Sequence, residues 1–207
     1  MKKYEFTGET KQVGFFGNIT LKRIRATMEF GIVKIGDLGG WIEKEENLSH
    51  EGNAWVCGDA KVYGNAWVYG DAKVYGNAWV YGNAWVYGNA KVWGNAKVYG
   101  NAWVYGNAEV CGNAEVYGNA KVCGNAEVFS ISHVLVIGPI GSRNDFTTFF
   151  RDKDSEITVK CGCFLGKIDK FLEKVSETHG DSKYAIVYRT AVEIAKQQID
   201  LSEEKQL

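Results

Sequence analysis

Proline and histidine are scarce in this chain, with one proline and three histidines in 207 residues. One proline against twenty-five glycines argues for regularly spaced turns rather than a disordered linker. Also missing is any apolar run of the ~20 residues that a membrane helix needs. The opening Met1-Lys2-Lys3-Tyr4-Glu5 is not followed by the apolar core of a secretion signal, so the expected location is the cytoplasm, with no membrane partner. No charge of one sign dominates. Residues 1–50 carry 8 basic and 7 acidic groups, 51–133 carry 5 and 6, and 134–207 carry 11 and 12. Nucleic acid is therefore not an expected partner, since phosphate binding needs a local excess of Lys and Arg. The short cluster Lys22, Arg23 and Arg25 reads as a solvated face. The five cysteines lack the spacing of a four-ligand metal site, so no metal and no cofactor is expected. Cys57 and Cys111 share a register but lie too far apart for a disulfide, and Cys161-Gly162-Cys163 is one isolated pair. Reduced structural thiols are the expectation.

What the chain has instead is a repeat. Glycine recurs every six residues from Gly52 to Gly124 inside the unit Gly-Asn/Asp-Ala-X-Val-Tyr. A period of six excludes an amphipathic helix, and the alternation in Ala66-Trp67-Val68-Tyr69 is that of a short strand. Ala and Val point inward, while Trp and Tyr point outward. Gly and Asn supply the turns, because both tolerate positive φ. Three such strands close one triangular coil, so residues eighteen apart stack at roughly the 4.8 Å strand spacing.

This unit resembles the hexapeptide repeat of left-handed β-helices, in which an aliphatic residue fills the prism and a small residue sits two positions before it. The predicted fold is mainly β. It comprises an N-terminal β cap (1–35), a single-stranded parallel left-handed β-helix of six-residue rungs (36–137) and a small C-terminal α+β domain (138–207). Strand-like runs Tyr4–Phe6 and Ile19–Ile24 build the cap. In the tail, Phe146–Arg151 and Ile157–Cys163 flank a hairpin turn, and two helical stripes follow. Ile168, Phe171, Leu172 and Val175 form one stripe, and Tyr184, Val187, Tyr188, Ala191, Ala195 and Ile199 the other. The segments Gly36–Ser49, Ile137–Arg143 and Cys161–Phe164 also resemble uncharacterised phage and prophage hexapeptide-repeat proteins. That resemblance implies a bacterial or phage origin and no particular activity.

Sorting outward residues by the eighteen-residue period gives three walls. The first stacks Trp67, Trp85 and Trp103 beside Tyr69, Tyr87 and Tyr105. The second sets Tyr63, Tyr81, Tyr99 and Tyr117 beside Lys61, Trp79, Lys97 and Glu115. The third runs through Trp55, Lys73, Lys91, Glu109 and Glu127 beside Cys57, Tyr75, Trp93, Cys111 and Phe129. Ring columns stabilise strands without further function. Six large rings on one wall, each able to bury ~150–250 Å², nevertheless approach the ~600 Å² apolar patch that monomers tolerate. The six rings of the first wall, with Tyr63, Tyr81, Tyr99 and Tyr117 of the second, are the candidate binding or oligomer-interface residues.

In the resembling fold, side-by-side packing of three β-helices is common, which implies a homotrimer. The best-known enzymes of that fold are acyltransferases using a histidine near the subunit interface. Here His50 takes a Val-like position at the first coil, His133 an outward position at the last, and His179 a helix end. No catalytic residue is assigned, and a non-enzymatic assembly protein is the leading expectation, with a host protein as a further partner. The alternatives are a protein that binds or sequesters a small ligand, such as a nucleotide signal or a sugar, and an acyltransferase. The loop Gly138–Arg143 after Val134–Ile137 reads as an interdomain turn, because no helix N-terminus follows to hold a phosphate.

Overall fold

The structure, a computed structural model, describes residues 2–203. Met1 and residues 204–207, the extreme ends of the N-terminal cap and the C-terminal domain, lie outside the described residues. Strands β1 (Tyr4–Val13) and β2 (Ile19–Ala26) form an antiparallel hairpin, and β2 pairs antiparallel with β3 (Leu38–Ile42). Thirteen two-residue strands then follow at six-residue intervals, from β4 (Trp55–Val56) to β16 (Glu127–Val128).

Strands β6 (Trp67–Val68), β9 (Trp85–Val86), β12 (Trp103–Val104) and β15 (Lys121–Val122) make the first wall. The second carries β3, β5 (Lys61–Val62), β8 (Trp79–Val80), β11 (Lys97–Val98) and β14 (Glu115–Val116). The third carries β4, β7 (Lys73–Val74), β10 (Lys91–Val92), β13 (Glu109–Val110) and β16. From β4 onward every neighbouring pair of rungs is parallel and in the eighteen-residue register, as in Trp67↔Trp85 and Trp85↔Trp103, while β3 meets β5 at an offset of twenty, Trp41↔Lys61. The rungs are joined by regular main-chain bonds: the Trp67 N–H donates to the Ala84 carbonyl at 2.9 Å and the Tyr69 N–H to the Val86 carbonyl at 3.1 Å. The mainly β, parallel solenoid read from the repeat is thus the observed architecture.

The prism interior is columns of Ala and Val; Ala84, Val86, Ala102 and Val104 are all fully buried. Full burial of each Val contributes ~1.5–3 kcal/mol relative to exposure. At the corners Asn side chains form ladders, with the Asn83 amide donating to Asn101 at 3.0 Å and the Asn101 amide to Asn119 at 3.2 Å. Each glycine before the Asn lies at positive φ, and a Cβ on Gly88 would stand 3.1 Å from the Gly106 nitrogen of the next coil.

Open coil ends expose unpaired main-chain groups that must be covered. The three walls solve this differently at the N-terminal end. On the first wall the buried Asn47 amide donates to the carbonyls of Gly64 (3.1 Å) and Ala66 (2.8 Å). On the third, the buried Lys3 ammonium donates to the Ala54 carbonyl at 2.7 Å. On the second, the hairpin itself extends the sheet through β2. The short basic cluster read as a solvated face sits on this hairpin. Arg25 pairs with Glu5 and Arg23 with Glu9, while Lys22 lies over the Phe6 ring.

Past β16 the frame changes. The segment expected to continue the solenoid to residue 137 belongs to β17 (Val134–Ile140), which runs antiparallel to β18 (Asp145–Arg151). The physical reason is the turn Ser130–His133, which replaces the Gly-Asn corner and turns the chain out of register. Strands β19 (Ile157–Cys161) and β20 (Phe164–Lys167) complete a four-stranded antiparallel sheet, covered by α1 (Ile168–His179) and α2 (Lys183–Gln198). The expected hairpin is present, with Arg151 opposite Ile157. Phe171, Val175, Tyr188, Ala191, Ala195 and Ile199 of the two stripes are buried, whereas Val187 is exposed and Ala185 and Val192 take inner places. Strand β18 also closes the far end of the solenoid: Phe150 joins its core and the Lys121 N–H donates to the Thr148 hydroxyl at 3.0 Å.

Candidate functional site

The first wall carries its rings in two adjacent stacks. Trp85 and Trp103 lie face to face with centroids 5.2 Å apart and planes within 4°. Tyr69, Tyr87 and Tyr105 repeat at 4.8 and 4.9 Å, close to the strand spacing, because each ring inherits its position from its own rung. Trp67 turns edge-on to Trp85 and covers Tyr69; it is the most exposed ring of the six, at 37%. Lys121 continues the column below Trp103 with its ammonium 5.3 Å from the indole. Tyr105 is turned toward Cys123, and burial together with that hydrogen bond pushes its hydroxyl well above the usual tyrosine range.

The second wall is less open than its sequence implies. Tyr63, Tyr81, Tyr99 and Tyr117 stack at 5.0, 5.0 and 5.4 Å. Val13 and Leu21 of the hairpin fold over its upper part, however, and pack with Trp41 and Tyr63, leaving Tyr63 only 9% exposed. Tyr63 is therefore removed from the candidate surface, and Tyr117 at the other end remains exposed. Below the hairpin, Lys97 pairs with Glu115 at 2.9 Å and Tyr99 donates to the same carboxylate at 3.0 Å. That ammonium and hydroxyl hold the Glu115 carboxyl below the usual range.

On the third wall, like charges stack in sequence, Lys73 over Lys91 and Glu109 over Glu127. The side chains resolve this by pairing along the column. Lys91 reaches Glu109 at 2.9 Å, and Glu127 is met by Arg151 of β18 at 3.2 Å. The upper part of this wall borders a groove of about 560 Å³, whose lip is the tight turn Phe30-Gly31-Ile32-Val33. Gly31 permits the turn with φ +53°, and Phe30 and Val33 exchange main-chain hydrogen bonds at 2.9 and 3.1 Å. The Phe30 ring packs edge-on against Trp55 at 5.3 Å. Sequence reasoning missed this groove. Its only local signal is an apolar quartet interrupted by glycine, which does not say which wall it will meet.

The chain is similar to known proteins over part of its length. A family model described as the YdcK β-solenoid repeat matches residues 72–88. That stretch holds β7, β8 and β9, one rung from each wall and so one coil. A protein of Escherichia coli (strain K12) described as "Uncharacterized acetyltransferase YdcK" is 36% identical over 61 residues, 27% of this chain and 19% of the relative. The chain thus spans about a fifth of the length of the curated relative it matches.

The histidines are distributed away from the middle coils. His50 stacks on Tyr4 at 4.3 Å, its Nδ1 accepts the Lys3 N–H at 3.1 Å, and burial lowers its pKa. His133, expected to point outward, is instead fully buried: the turn that ends the solenoid swings it inward, where its Nδ1 accepts the Phe129 N–H at 3.3 Å. Burial lowers its pKa as well. His179 closes α1 with its ring 5.7 Å from Tyr188. His50 and His133 sit before the first and after the last of the two-residue rungs, and His133 meets the Phe129 ring at the end of the third wall edge-on at 4.3 Å. The five cysteines are free thiols, and among the described residues no group of three His, Cys, Asp or Glu is placed to hold a metal ion. The Gly141–Asn144 turn joins β17 to β18, so a strand and not a helix follows it. Among the described residues no helix is long and apolar enough to cross a membrane.

Proposed function

We propose that this protein is a non-catalytic binding and assembly protein that associates with copies of itself through the first wall as a homotrimer. The observation that carries the reading is the in-register stack of Trp67, Trp85 and Trp103 beside Tyr69, Tyr87 and Tyr105, a flat aromatic face on a rigid prism. Aromatic residues dominate interface energetics, and a trimer follows where the tryptophan column of one copy's wall meets the tyrosine column of the next around a three-fold axis. Tyr81, Tyr99 and Tyr117 flank it on the second wall. The C-terminal domain is the element for a further protein partner, and the resemblance to phage and prophage repeat proteins supports a host factor in a bacterial cytoplasm.

Native mass spectrometry and light scattering test this. The wild type should be trimeric. Trp85→Ala with Trp103→Ala should shift it to monomer at the same concentration, each lost anchor costing ~2 kcal/mol or more in assembly. Thermal unfolding of the double variant must remain cooperative, which separates lost assembly from lost fold. A monomeric wild type would overturn the reading.

A second reading, acyl transfer, is favoured by the description of the Escherichia coli relative as an acetyltransferase. The placement of all three histidines weighs against it, since a general base must reach the acceptor it deprotonates. Acetyl transfer from acetyl-coenzyme A that is lost on His50→Ala would establish this second reading in place of the first.

A further inference from the structure

We propose that the groove on the third wall is a binding site for a small planar aromatic anion. Its volume of about 560 Å³ falls within the ~300–1,000 Å³ typical of small-molecule sites. Its floor is built from the solenoid and its lip from the Phe30–Val33 turn, so two separate parts of the fold converge on it. Both are rigidly held. Val33 is buried in the main core, and Gly31 rests on Asn53, which is itself fixed by Asp71 at 2.7 Å.

The lining states the ligand's chemistry. Phe30 and Tyr75 line it with half-buried rings and the largely buried Trp55 closes the space between them and the core, which favours a planar aromatic body. Ile32 lines the same groove yet is 80% exposed, so a ligand beneath the lip would remove apolar surface from water. The charges present are Lys73, Lys91 and Asp71. Asp71 already accepts from both the main-chain and side-chain nitrogens of Asn53, and Lys91 is held by Glu109. Lys73 forms no salt bridge and no hydrogen bond among the described residues, which leaves one uncommitted cation beside an aromatic pocket. A charge-assisted bond to that ammonium supplies the selection for an anion. The inference is independent of the first wall: it uses a different face and holds for monomer or trimer alike.

Anilinonaphthalene sulfonate is a suitable probe, because it carries a planar naphthalene and a single negative charge and fluoresces when shielded from water. Titration of the folded full chain, with stoichiometry from calorimetry, should give one site per chain. Lys73→Gln should weaken binding about tenfold, as should Ile32→Asp, which sets a like charge at the lip. Neutral anilinonaphthalene should bind the wild type and Lys73→Gln equally. Phe15→Ser with Phe16→Ser, which removes the exposed rings at the β1–β2 turn, should leave sulfonate binding unchanged. Circular dichroism of each variant must match the wild type. Several weak sites, equal binding of the sulfonate to wild type and Lys73→Gln, or binding lost with Phe15 and Phe16 would overturn the proposal. Failure to bind because a neighbouring copy fills the groove would overturn it too, and a monomeric variant of the first wall would reveal that cause.

Discussion

The same substitution at two corner glycines should have different costs, because only one of them faces another coil. Gly88 and Gly118 both lie at positive φ, +68° and +64°, so alanine at either pays the left-handed strain of ~1–2 kcal/mol. A stiffer unfolded chain offsets ~0.4–1 kcal/mol of this at both sites. The Cβ at Gly88 would also stand 3.1 Å from the Gly106 nitrogen and 3.2 Å from its carbonyl oxygen, main-chain atoms locked in the ladder. At Gly118 the new atom meets nothing within 4 Å. Forcing the coils apart at Gly88 adds an overpacking cost of ~1–3 kcal/mol. Gly118→Ala should therefore lose about 1 kcal/mol and Gly88→Ala about 2–4 kcal/mol. Urea unfolding followed by tryptophan fluorescence measures both, with the slope checked for constancy between variants. Equal losses would refute the argument that coil spacing, rather than backbone conformation alone, demands glycine here.

Stability should rise with pH just above neutrality and then fall. Burial pushes Lys3 down to about 8, against an opposing pull from Asp71, while the unfolded chain keeps that proton to the ordinary 10.5; the unfolded state thus binds more protons in this window. Burial pushes Cys57 and Cys123 up, and Tyr63 and Tyr99 up to about 12, so the native state holds protons that the unfolded chain loses from pH 9 onward. Midpoints between pH 7 and 11 should peak near 9, and Lys3→Met should flatten the rising limb; an unchanged limb would refute the Lys3 assignment. Arg151→Met should lose about 3 kcal/mol, because the buried guanidinium meets Glu127 and covers the Phe129 ring. Adding Glu127→Gln should recover part of that loss, and strictly additive losses in the double variant would show that the pair is not coupled. The first-wall tryptophans and the groove carry the assembly and ligand predictions given with them above.

Much of the solenoid was legible because its forces act at fixed spacing. Ala and Val at alternate positions, with glycine every six residues, determine an inward column and a corner whatever lies beyond the repeat. The columns Trp67–Trp85–Trp103 and Lys73–Lys91–Glu109–Glu127 follow from that period and appear in the observed register. The tail's hairpin and helices were legible through their own periods of 2 and 3.6. Contacts between segments with no shared period were decided by tertiary packing. The hairpin places Val13 and Leu21 on Tyr63, the Phe30–Val33 turn bends over the third wall, and Arg151 arrives beside Glu127. His133 turned inward, and β17 left the solenoid, where the Gly-Asn corner gave way to another turn. Local sequence determines a repeating element because each rung meets a copy of itself. The capping segments meet surfaces unlike themselves, so their docking depends on the shape and charge of the whole assembled prism.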